Sequence, residues 1–287
     1  MSYKLVFERF DSLNALLRAN DTREENKVFK GKTLSSLETN LDSKMFTKTK
    51  SYDEAKELLA TGWEEPLEQL KKFNKNSVTT NTQAEKRRPR NAVVGYAPCV
   101  PNAIIGLPNS MVSTELERQK VKAVTIVYGV SVLGGTSTQT VIDAGTTMLN
   151  IINELELQGI RVKLTVEVRC SANNGELACC WADIKDWKEV LDIKKLAFPI
   201  AHPSMQRRIG FRWMETNGNI TSSGFSFGYG STLSASRTYT EQVDTLKSLG
   251  LLQNNEYYIN VQLCEECNYD AEKVMEIAGM KNLKTNK

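Results

Sequence analysis

The chain has 287 residues, 40% of them hydrophobic and 25% charged, which is the balance of a globular protein with a sizeable core. No apolar run approaches membrane-spanning length, and the start, MSYKLVFERFDS, lacks the apolar stretch of a secretory signal, so the expected compartment is the cytoplasm. The net charge of +3 is unevenly placed: residues 1–90 carry 18 Lys and Arg against 14 Asp and Glu, and residues 91–287 carry 19 against 20.

Residues 1–70 read as a helical arm. LNALLRAN (13–20) is a short amphipathic piece, and SYDEAKELLATGW (51–63) is a stronger helix, with Ser51 as cap, Glu54 three residues on and Gly62 as stop. Pro66 opens a second short helix, PLEQLKKF. Residues 71–90 hold seven basic residues (Lys71, Lys72, Lys75, Lys86, Arg87, Arg88, Arg90) against one acidic residue, and read as a solvated linker or a phosphate-contacting strap. Residues 91–119 mix prolines and glycines with apolar residues. Such a segment predicts an extended strap packed on the main domain, because its valines and isoleucines need burial.

From about residue 120 strands and helices alternate, the pattern of an α/β domain over 120–287 with a parallel or mixed sheet. VKAVTIVYGVSV (121–132) reads as a strand buried on both faces. A long helix follows, with Val141, Ala144, Met148, Ile152 and Leu155 at helical spacing and Gly159 at its end. RVKLTVEVRC (161–170) and ELACCWADIK (176–185) form a hairpin about the turn 173–175. Helices are predicted at WKEVLDIKKLAF, at PSMQRRIGFRWMET entered through Pro203, at SRTYTEQVDTLKSLG and at DAEKVMEIAGM, with EYYINVQLCEE as a late strand.

This order of elements resembles the von Willebrand factor A fold, a Rossmann-like sheet flanked by helices. That fold carries a metal-ion-dependent adhesion site of pattern Asp-x-Ser-x-Ser after its first strand. The matching positions here are Gly129, Ser131 and Leu133, so the resemblance implies a degenerate site that has lost its carboxylate. The corner keeps its loop-to-helix character in Gly134, Gly135, Thr136 and Ser137. Two readings stay open there: backbone N–H groups that take a phosphate or carboxylate, or a tight turn capped by Thr136 or Ser137. A β-branched residue in place of Gly134 or Gly135 is expected to strain the turn if either holds a positive φ.

The stretches FTKTKSYDEAKELLATGW, VVGYAPCVPNAIIGLPNSM and AFPIAHPSMQRRIGFRWME, with the turn at 129–137, resemble a family encoded in tailed-bacteriophage genomes. The resemblance implies a phage product in the host bacterial cell, with virion association left open, and implies no mechanism.

Other candidates are weaker. Cys264 and Cys267 have the spacing of half a zinc site, whose other half has only Cys170, Cys179 or Cys180 to draw on; buried thiols are the alternative. His202, the one histidine, lacks a partner motif for acid–base work. Arg207, Arg208 and Arg212 lie on one predicted helix, where Arg208 and Arg212 share a face and suit either an anion or internal ion pairs. Phe225, Phe227 and Tyr229 sit in a Gly/Ser loop and are either buried or an exposed contact surface.

These readings converge on a non-catalytic module that binds a phage or host protein, without cofactor or metal, through the corner 131–137 and the aromatic loop. The alternatives are a nucleic-acid-binding accessory protein using the basic linker and the three arginines, and an enzyme on a Rossmann-like scaffold.

Overall fold

The computed structural model of the chain describes residues 4–65, 87–116, 122–225 and 228–283. The predicted second helix after Pro66 and the basic residues Lys71, Lys72, Lys75 and Lys86 lie outside them, as does Phe227. The N-terminal segment opens with a strand the sequence reading missed, β1 (Lys4–Phe10), followed by α1 (Leu13–Thr22), α2 (Leu41–Thr47) and α3 (Tyr52–Thr61). Ser12 caps α1. Ser51 caps α3, and Gly62 ends it at φ +86°, as the sequence predicts.

Residues 87–116 form a separate small sheet: β2 (Arg87–Ala92), β3 (Ala97–Pro98), a short helix α4 (Val100–Ile104) and β4 (Met111–Leu116). The sheet order is β2-β4-β3, all antiparallel. This corrects two expectations. Arg87, Arg88 and Arg90 belong to a strand and not to a linker, and the strap is not packed down. None of its described side chains is buried, and Val93, Val94, Tyr96, Val100, Ile104, Ile105 and Leu107 are 44–80% exposed. The prolines and Gly95 fold the strap back on itself: Tyr96 N–H donates to the carbonyl of Val112, and Cys99 N–H to that of Ser110.

The main sheet is mixed, in the order β1-β7-β6-β5-β8, and makes the fold a Rossmann-like α/β architecture. Strand β5 (Ala123–Gly129) lies inside the sheet between β6 and β8, and is apolar enough to be buried on both faces beyond Ala123. Helix α5 (Thr138–Leu157) returns the chain to β6 (Arg161–Ser171), parallel to β5. β7 (Glu176–Lys185) then pairs antiparallel with β6, and β1 joins β7 in parallel. The N-terminal segment therefore contributes an edge strand to the main sheet, and is no detached arm.

Helix α6 (Ile193–Ala201) begins later than predicted. It is followed by a π-helical turn over 205–210 that runs into α7 (Phe211–Thr216). The backbone at Gly210 lies so close to β6 that a Cβ there would fall 2.6 Å from Val168 Cγ1. Thr238 caps α8 (Tyr239–Ser248) with a complete capping box. The predicted late strand is shorter: β8 (Glu256–Asn260) pairs with β5 on the side away from β6. Asn260 then caps α9 (Val261–Glu266), accepting from Leu263 N–H at 2.9 Å. Asp270 caps the last helix, α10 (Ala271–Ile277). Among the described residues no helix is long and apolar enough to cross a membrane.

Candidate functional site

In open α/β sheets ligands bind beyond the carboxyl ends of parallel strands, where neighbouring connections diverge. Here that place is the end of β5, between β6 and β8. Register sets Gly129 beside Glu167 on one side and Asn260 on the other. The two-residue period of a strand puts Arg169 and Tyr258 on the same face.

These side chains close on one another. Tyr258 Oη donates to Glu167 Oε2 at 2.7 Å, and Arg169 Nη2 donates to Tyr258 Oη at 3.0 Å and to Gln242 Oε1 at 3.2 Å. Asn260 Nδ2 donates to the same Gln242 oxygen at 3.1 Å. Arg169 Nη1 lies 3.6 Å from Glu167 Oε1 and makes no hydrogen bond among the described residues. All five residues are buried. Burial opposes the charge on Arg169, yet the Glu167 carboxylate holds the guanidinium above the ordinary arginine range. Burial, and then the Glu167 charge, pushes the Cys179 thiol well up.

Gly129 packs hard against these side chains. A Cβ at Gly129 would lie 2.4 Å from Tyr258 Oη and 2.9 Å from Glu167 Oε2, so protein groups fill the space a side-chain ligand would need. Ser131 is committed as well: its Oγ accepts the Arg169 N–H at 2.7 Å. Val132 exchanges two hydrogen bonds with the Gln206 amide. Leu133 points to solvent.

The turn itself differs from expectation. Thr136 N–H closes it on the Leu133 carbonyl at 3.1 Å, and neither Gly134 nor Gly135 has a positive φ. Nothing lies within 4 Å of the Cβ position of either, so the turn is open and needs neither glycine for its backbone angles. Ser137 is the cap of α5, as one of the two sequence readings held.

The three arginines part company. Arg208 is fully buried and donates to the carbonyls of Ser35, Ser36, Glu38 and Thr49, so it holds the segment 35–49 against the core. Arg212 pairs with Glu215 at 3.4 Å. Arg207 is held between Phe46 and Phe211, 4.8 Å and 5.2 Å from the ring centroids, and burial lowers its pKa. Of the two expected to share a face, Arg208 is fully buried under the N-terminal segment and Arg212 is only partly buried.

The aromatic loop also turns inward. Phe225 and Tyr229 are buried; Tyr229 stacks on Phe211 and donates to Glu215 Oε1 at 2.5 Å. His202 ends α6, stacked on Phe198 with its Nδ1 accepting from Ser204 N–H at 3.1 Å. Cys264 is buried on α9 and Cys267 at its C-terminal cap. Among the described residues no group of three or more His, Cys, Asp or Glu is placed to hold a metal ion.

A groove of about 440 Å³ opens at the other end of the sheet, lined by Asp183, Lys185 and Lys163 among others. Two of its lysines are engaged internally: Lys163 Nζ lies 2.8 Å from Asp183, and Lys185 Nζ 2.7 Å from Glu156.

Over residues 2–284 the chain matches the family described as Domain of unknown function (DUF7192). The chain belongs to that family. No curated protein and no solved structure matches it. The DUF7192 match runs through the small sheet 87–116 as well as the α/β core. In this DUF7192 chain the small sheet is where exposed apolar side chains concentrate, and no sequence signal marked it as a surface. Its apolar composition reads as core, and only the absence of any described residue packed over it reveals the patch.

Proposed function

We propose that the chain is a non-catalytic protein-interaction module. The Rossmann-like core is the scaffold, and the small sheet 87–116 is the contact element. The observation that carries this reading is the exposed tip, residues 93–107, whose large apolar side chains face solvent over a backbone closed by its own hydrogen bonds. Monomeric proteins rarely expose contiguous apolar patches beyond a few hundred Å², and larger ones mark contact sites.

The strand end supports the non-catalytic half of the reading. Glu167, Arg169, Tyr258, Gln242 and Asn260 bond to one another, leaving no nucleophile–base pair aimed at an open space. On this reading the corner is a von Willebrand A-like adhesion corner whose metal position is filled by Tyr258 and Glu167. The partner implied by the phage-family resemblance is a phage or host protein. The nucleic-acid alternative loses Arg208 and Arg212, which are engaged internally.

The test is affinity capture from infected bacterial cells with the wild type and a Val94→Asp/Ile104→Asp variant. A protein retained by the wild type and lost from the variant supports the reading. Identical captured sets overturn it.

A further inference from the structure

We propose that the occupant of the exposed tip is a second copy of this chain, paired tip to tip about a two-fold axis. The inference rests on the interaction reading and names its partner. Three observations carry it.

The first is area. The seven large apolar residues between 93 and 107 are each 44–80% exposed, so the tip offers apolar surface on the scale of the about 800 Å² per partner that a standard interface buries.

The second is charge. No Asp, Glu, Lys or Arg occurs between Arg90 and Glu115. A two-fold contact sets a surface against itself, and any charge near the axis then meets its own sign. An uncharged patch meets no such repulsion.

The third is the edge of the small sheet. Of its two outer strands, β2 reads Arg87, Arg88, Pro89, Arg90 and β3 is only Ala97–Pro98; charge, proline and short length on an edge strand oppose extension of the sheet by another strand. This leaves the apolar tip, and not the strand edge, as the contact. The tip backbone is already fixed: Leu107 N–H donates to the Asn102 carbonyl at 2.9 Å, and Asn102 Nδ2 to the Asn109 carbonyl at 3.0 Å. Pairing thus orders little new chain.

The full chain supplies its own probe. Cys99 lies in the tip and is the one cysteine that is not buried. Light scattering on the wild type should show a monomer–dimer equilibrium, and Val94→Asp/Ile104→Asp should be monomeric with an unchanged core melting transition. The rate at which a bulky maleimide modifies wild-type Cys99 should fall severalfold as protein concentration rises through that equilibrium. A wild type that stays monomeric, a dimer that persists in the variant, or a Cys99 rate independent of concentration overturns the pairing. If the wild type is monomeric while the variant still loses a captured protein, self-pairing fails and the interaction reading stands. If the variant loses neither, both fail.

Discussion

At the scale of single residues, the chemistry of the chain is concentrated in buried polar groups. Removing one member of a buried ion pair leaves the other charged without compensation, which costs about 3–5 kcal/mol. Arg169→Met should therefore lower stability by about that much in urea denaturation, because Glu167 is left with only the neutral donors Tyr258 and Cys179. Adding Glu167→Gln to it should recover a large part of the loss. His202 gives a pH dependence. Burial, and then the charge of Lys48, lowers its pKa from 6.5 to about 3, so the folded state resists its protonation. The stability this group provides is fully present above pH 6.5 and is lost as pH falls toward 3. The slope reaches about 1.4 kcal/mol per pH unit. Denaturation midpoints of wild type and His202→Gln, compared between pH 7.5 and 4.5, should converge on acidification.

At the scale of elements, two glycines near one corner behave oppositely. Gly129→Ala drives a Cβ into Tyr258 and Glu167 and should cost about 1–3 kcal/mol. Gly134→Ala meets open space at an ordinary φ and should fall within about 0.5 kcal/mol of the wild type. Chemical denaturation of the pair separates them. Arg208 ties the chain between β1 and α3 to the core through four carbonyls. Arg208→Met removes those donors, and trypsin should then cut faster at Lys32, Lys44 or Lys48. The cap at Ser51 was legible in the sequence, and Ser137 was one of two candidates at its corner, because capping is a local contact within four residues. The end of β8 was not. Asn260 reads as one more residue of an apolar run until its pairing with Gly129, the last residue of β5, stops the strand.

At the scale of the whole molecule, the small sheet is a lobe whose two ends meet. Arg87 stands opposite Leu116 in the β2–β4 ladder, so residues 87–116 leave and rejoin the rest of the chain at one place. Since no described side chain in the lobe is buried, replacing 87–116 by a short Gly/Ser linker should leave the thermal transition of the core unchanged within about two degrees. Circular dichroism melts of the two proteins check this.

Periodicity and local capping decided the α/β class, the long helix after β5 and the hairpin of β6 with β7, because these depend on residues a few positions apart. That position 129 carries no carboxylate was equally visible as a residue identity. Tertiary structure decided which groups fill that position, since Tyr258 and Glu167 come from strands far away in sequence. It also decided the direction of every ambiguous side chain. An arginine pair, an aromatic loop and an apolar strap each read the same whether they face core or solvent. Arg208, Phe225 and Tyr229 face inward because the N-terminal segment and α7 pack over them, and Val94 and Ile104 face outward because none of the described residues covers them. Burial is a property of the assembled chain, and a residue's type states only what burial would cost or contribute.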